Sequence, residues 1–257
     1  MDAVTPIVAL FAFAMLRYLP VVAIPALSPL SWAPTTVRMT LLFALAWLTV
    51  LASPAPYALP IVHNEVGLVL ACASELMIGL TFRLALLLPQ AAISMSSRVA
   101  DMQAGLSAAA LFNPGGQHEA ESMLGTIFLL AATMLFFTLD LHLQLFRLLT
   151  ASVAVMPLGA MGFHLNIESF LAMVGSSFLL GVSVAAPLVV GLFAVDLGTA
   201  YATRSMPQAN VYFLALPLKI AVALLLLAMT LSFLPTMIER LYVDAFDRLP
   251  SVFGGVR

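Results

Sequence analysis

Residues 66–88 read VGLVLACASELMIGLTFRLALLL, an apolar run whose only charges are Glu75 and Arg83. About 20 helical residues cross a hydrocarbon core, so a run of this length and polarity reads as a membrane-type helix. Glu75, Gly79 and Arg83 recur every four residues and share one helical face over two turns. An ionised side chain at that depth is costly unless it faces protein or water. The stretch predicts a helix that turns its charged face toward other helices, and the rest of the chain repeats the pattern.

Of the 257 residues, 63% are hydrophobic and 9% charged, with a mean hydropathy of +1.10. Soluble domains carry about 25% charged residues, so the fold class is all-α and polytopic. A net charge of −2 with no basic block leaves no electrostatic footprint for nucleic acid. The single Cys72 excludes an internal disulfide and a multi-cysteine metal site. The first apolar run lacks a basic leader and its first cation, Arg17, lies inside it. It is expected to be a retained membrane segment rather than a signal peptide.

Outward from residues 66–88, five more long runs appear: Ile7–Leu30, Val37–Ala52, Met123–Met156, Ile167–Val195 and Val211–Leu234. A weaker amphipathic segment covers Ala91–Phe112. Pro20, Pro25, Pro187 and Pro217 mark expected kinks. Met123–Met156 exceeds the length that crosses a bilayer. Residues 235–257 read as a polar, mixed-charge, short-helical tail, and without repeats or linkers residues 1–257 form a single membrane domain. Loop charges conflict: Arg38, Arg98 and Arg204 favour one side, while Arg240, Arg248 and Arg257 in the tail oppose the orientation they imply.

Asn113-Pro114-Gly115-Gly116 interrupts this pattern. Proline fixes φ and two glycines permit φ > 0, so irregular backbone is expected there, and in an apolar chain it needs water or protein around it. Charges also lie within or beside the runs: Glu75, Arg83, Asp101, Asp140, Arg147, Asp196 and Lys219. Asp140, Gln144 and Arg147 have the spacing of one helical face. The favoured reading is structural pairing between helices, ahead of a proton or ion relay, because the acids are scattered. Ser177, Gly181 and Ala185 form a small-residue ladder for close helix packing with a neighbour in this chain or another. Met95, Met102, Met123 and Met134 flank the Asn-Pro-Gly-Gly region; core filling is favoured over an adaptable seal.

Enzyme and metal signatures fail one by one. His118-Glu119 continues as HEAES, without the second histidine of a zinc helix. His63, His118, His142 and His164 lack ligand spacing, and no GxSxG, Walker A or GxGxxG stretch occurs. No catalytic residue, metal site or cofactor is expected.

The order of motifs resembles the FliR/SctT family of the type III protein export apparatus, most like its flagellar members, over nearly the whole chain. The matching elements are Arg17 with Pro29, Pro34 and Arg38, then Glu75-Leu-Met-Ile-Gly79, and Asp101-Met-Gln-Ala-Gly105 followed by Asn113-Pro114. Leu139-Asp-Leu-His142 through Pro157-Leu-Gly159 and Pro207-Gln-Ala-Asn-Val211 with Leu216-Pro-Leu-Lys219 complete the set. Asn113 stands where relatives usually carry an acid. The resemblance implies a non-enzymatic subunit of a helical multi-subunit export gate in the bacterial cytoplasmic membrane, at the flagellar basal body. Implied partners are FliP-like and FliQ-like subunits, FlhB-like and FlhA-like export proteins, and exported rod proteins. The matching loop would plug or line the pore through Leu106, Ala109, Leu111, Phe112, Asn113, Pro114, Gly115 and Gly116, with residues 108–112 as seal and 113–116 as hinge. Under the same resemblance Glu75, Arg83, Asp101, Asp140, Arg147, Asp196 and Lys219 become subunit-interface or buried-charge positions, and not all runs cross the membrane. The alternatives are a virulence injectisome homologue, a proton-coupled small-molecule transporter and, lacking a visible nucleophile or metal, an intramembrane enzyme.

Overall fold

The computed structural model describes residues 4–24, 29, 32–52, 65–105, 123–160, 165–205 and 211–253. These form α1 (Val4–Val22), α2 (Thr35–Ala52), α3 (Glu65–Ala104), α4 (Met123–Thr138), α5 (Leu141–Val155), α6 (Ile167–Ser205), α7 (Val211–Leu231) and α8 (Leu234–Val252). The all-helical class is as expected: a helix satisfies its backbone internally, as an apolar surrounding demands. The residues 113–116 turn, the 207–210 motif, Pro25, His63, His118 and His164 lie outside the described residues.

Three boundaries differ from the sequence expectation. Residues 66–88 and the segment from Ala91 are not separate: α3 is one helix of 40 residues, running through Pro89 to Ala104, about 60 Å at 1.5 Å per residue. A proline removes one intrahelical bond, which apolar packing on both sides of Pro89 offsets; Leu86, Ala92 and Ile93 are all buried. Conversely, Met123–Met156 is broken. Asp140 adopts φ 55°, ψ 23°, a left-handed conformation that aspartate tolerates better than most residues. Its carbonyl accepts the Leu143 and Gln144 N–H groups at 3.0 and 3.3 Å and starts α5. Asp140 and Arg147 are exposed, so the shared helical face inferred for Asp140, Gln144 and Arg147 fails because Asp140 is not helical. Finally, the polar tail is a 19-residue amphipathic helix, α8. Leu234, Ile238, Leu241, Ala245, Leu249 and Val252 are buried at helical spacing while Glu239, Arg240 and Asp247 are exposed.

Among the described residues three helices, α2, α3 and α6, are long and apolar enough to cross a membrane, and up to five spans result if α4 with α5 and α7 with α8 each count as one bent span. Two compact units make up the chain: residues 1–88, 140–174 and 242–257, and residues 89–139 and 175–241. Their boundaries fall inside α3, α6 and α8 and at the α4–α5 break.

In the first unit the core forms around Arg17 and Glu75, both fully buried. The guanidinium donates from Nε to Glu75 Oε2 at 2.6 Å and from Nη2 to Oε1 at 3.0 Å, and also reaches Ser152 Oγ at 3.1 Å and the Met156 carbonyl at 2.9 Å. The Gly159 N–H donates to Glu75 Oε1 at 2.8 Å, and Gly159 sits at φ 78° against the Phe13 ring. This explains the Pro157-Leu-Gly159 turn as the segment that closes the charge cluster. Gly79 lies one turn after Glu75. A Cβ there would run into the Arg17 backbone carbonyl and the Pro20 ring, so the E-x-x-x-G spacing couples a charge contact to a close helix approach. Tyr18 and Thr49 join α1 to α2 through their hydroxyls, 2.7 Å apart, and Phe11 packs on Phe43 and Trp47.

Removing one partner of a buried ion pair typically costs about 3–5 kcal/mol, whereas replacing both with apolar residues is often neutral. Glu75→Met should therefore abolish or sharply lower thermal stability of the membrane-extracted protein, and Arg17→Met with Glu75→Met should recover most of it. Equal loss in the single and double variants would show that the pair is not the controlling contact.

Candidate functional site

The second unit contains both ends of the chain segment 106–122. All eight positions expected to form a plug, Leu106, Ala109, Leu111, Phe112, Asn113, Pro114, Gly115 and Gly116, lie outside the described residues. Their two attachment points do not. At the first, α3 ends at Ala104 and Gly105 takes φ 77°, its N–H bonded to the Met102 carbonyl at 3.2 Å. Glycine in the left-handed region is a common way to end a helix, because the missing Cβ removes the steric cost.

Asp101 ties this end to the second attachment point. Its carboxylate is buried, and Oδ1 accepts the backbone N–H of Leu124 at 3.0 Å. That amide belongs to the first turn of α4, where four N–H groups lack intrahelical partners and the helix dipole favours an anion. Asp101 thus caps a helix from a different helix, and the Asp101-to-Gly105 motif resolves into a cap for α4 followed by the stop of α3.

Lys219 acts at the same end of α3. Its ammonium pairs with the Asp196 carboxylate on α6 and donates to the Gln103 carbonyl at 3.4 Å. Asp101, Asp196 and Lys219 are therefore engaged within this chain. Glu75 is engaged by Arg17, which sequence reasoning placed in the first helix without pairing it; an arginine inside an apolar run was the available signal. Arg83 is buried, and Asp140 and Arg147 are exposed.

The small-residue ladder also finds its neighbour inside the chain. A Cβ on Gly181 would meet Ala92 of α3, and Ser177 and Ala185 are buried. The methionines behave differently from expectation. Met95, Met102, Met123 and Met134 are 54–70% exposed and do not fill the core. Met95, Val99 and Met102 lie on one face of α3, and Met123, Ile127, Leu130 and Met134 lie on one face of α4, so both helices that bracket residues 106–122 present uncovered apolar stripes.

Chemically this region holds backbone in place. The Asp101 and Lys219 charges are engaged by helix ends, and among the described residues no group of three or more His, Cys, Asp or Glu is placed to hold a metal.

Long apolar helices, buried charges spent on helix-to-helix contacts and exposed apolar stripes define a multi-pass helical membrane protein. More narrowly, the chain belongs to the family described as bacterial export proteins, family 1, which it matches over residues 8–245. It is 28% identical to the flagellar biosynthetic protein FliR of Aquifex aeolicus, covering 83% of this chain and 81% of that protein. With the FliR of Caulobacter vibrioides it shares 29% identity, over 84% and 85% of the two chains. Yop proteins translocation protein T of Yersinia pestis is 28% identical over 69% of this chain and 72% of its own length.

Loss of an N-cap acceptor costs about 0.5–2 kcal/mol. Asp101→Ala should accelerate amide exchange in the first turn of α4, and Asp101→Asn, which keeps an acceptor oxygen, should do so less. Exchange at Leu124 unaffected by Asp101→Ala would refute the capping role.

Proposed function

We infer that the chain is a flagellar type III export-gate subunit that shapes the channel for unfolded proteins crossing the cytoplasmic membrane. The observation that carries this reading is the family match across residues 8–245. It is supported by relatives named flagellar biosynthetic protein FliR that align over more than four-fifths of both chains. Yop proteins translocation protein T of Yersinia pestis covers 69% of this chain, as much as the FliR of Pectobacterium carotovorum does, so coverage does not separate the two systems and the injectisome role is the second reading. Either way the protein acts without catalysis, as one component of a larger export complex.

The finer assignments follow from the same reading. FliP-like and FliQ-like subunits cover much of the exposed apolar surface, FlhB-like and FlhA-like proteins adjoin the gate, and rod proteins pass through it. Residues 106–122 form the plug of the closed channel. Two features support a plug there: its attachment points are braced by Asp101 and Lys219, and the flanking helices carry flexible, polarisable methionines on open faces.

Deleting Leu111–Gln117 should leave the complex assembled but make cells leaky to small ions. An intact complex with unchanged permeability would defeat the plug assignment. Removal of the whole gene should abolish swimming; normal motility combined with loss of effector secretion would favour the injectisome reading.

A further inference from the structure

Lys219 is the sole lysine of the chain. Its ammonium has partners on two other helices, and they differ in kind. The pair with Asp196 joins α7 to α6, with the side chains 20% and 40% exposed; exposed pairs of this sort contribute about 0–1 kcal/mol. The bond to the Gln103 carbonyl meets α3 in its last turn, where the final four carbonyls have no intrahelical donor and the dipole favours a cation. Gly105 turns the chain out of the helix two residues later.

We propose that Lys219 is a positioning residue that fixes the last turn of α3, and that Asp196 holds its ammonium in the orientation that reaches Gln103. The grip is independent of the plug reading, and its consequence for permeability rests on that reading. Together with Asp101 on the α4 side, it gives each end of residues 106–122 one charged brace of opposite sign: a cation at a helix C-terminus and an anion at a helix N-terminus. An ion pair serving only to join α6 and α7 would not need the third contact. The two roles separate under charge exchange, because Asp196→Lys with Lys219→Asp rebuilds the pair but turns a carboxylate toward the Gln103 carbonyl.

The test uses the intact complex purified from membranes, with amide exchange followed over residues 100–105, thermal stability of the complex, and leakage of small ions in the producing cells. Lys219→Met should raise exchange in this turn about 2- to 5-fold, the scale of one long hydrogen bond, and Lys219→Arg should stay near wild type. The charge exchange should keep thermal stability near wild type yet leave exchange high. Should Lys219→Met block assembly, Asp196→Asn carries the same test, with a smaller rise expected. Unchanged exchange in Lys219→Met, or in Asp196→Asn where that replaces it, or full protection in the charge exchange, overturns the proposal. Raised exchange without leakage upholds the grip and counts against the plug. Leakage on deleting Leu111–Gln117 with no effect of Lys219→Met on exchange does the reverse.

Discussion

The structure depends first on the buried contact between Arg17 and Glu75. Neither side chain reaches solvent, and each is satisfied beyond its partner, Arg17 by Ser152 and the Met156 carbonyl and Glu75 by the Gly159 N–H. Such a pair tolerates little error, since desolvation of both ions must be offset by near-ideal geometry. That requirement accounts for features that look unrelated in sequence: the glycine four residues after the acid, the proline and glycine of the 157–159 turn, and the serine on α5. Each either permits the approach of the charges or fills a remaining hydrogen-bonding position.

The second unit uses charge on a smaller scale and for a different end. Asp101 and Lys219 each meet a helix terminus, where backbone groups are open and the field has a sign. The result braces the two exits of one chain segment, one of the braces being Asp101 on the last turn of α3 itself. In an apolar protein with few ionisable residues, most of the site charges that the structure describes as buried or half-buried hold helices to one another or hold their ends.

Much of this was legible in the sequence. The helical class followed from hydropathy, and of the charged positions marked within runs Glu75, Asp101, Asp196 and Lys219 meet partners in this chain, whereas Asp140 and Arg147 are exposed. Partner identity was not legible, because Arg17 and Glu75 are separated by 58 residues and spacing rules act only within one helix. The same limit hid the Asp101-to-Leu124 cap. Boundaries failed where a local signal was overruled: Pro89 did not stop α3, because neighbours on either side are packed, and Asp140 stopped α4 from continuing through a backbone conformation that hydropathy does not encode. The tail was expected to be short-helical, and its apolar residues, Leu234 to Val252, carry the period that makes it a 19-residue helix with one buried face. For residues 106–122 sequence supplied a candidate role, and the structure supplies only the attachment points.

The separation of Arg17 from its acid has a consequence for how the chain is made. Synthesis proceeds at about 5–20 residues per second, so Glu75 emerges roughly 3–12 s after Arg17. Ser152 and the Met156 carbonyl follow only after 135 and 139 residues. Until Glu75 emerges, α1 carries an unpartnered guanidinium in an otherwise apolar segment, which lipid does not accept cheaply. Pairing of the first helix is therefore timed by the arrival of α3, and its final burial by the arrival of α5 and the turn that follows it, rather than by its own hydrophobicity.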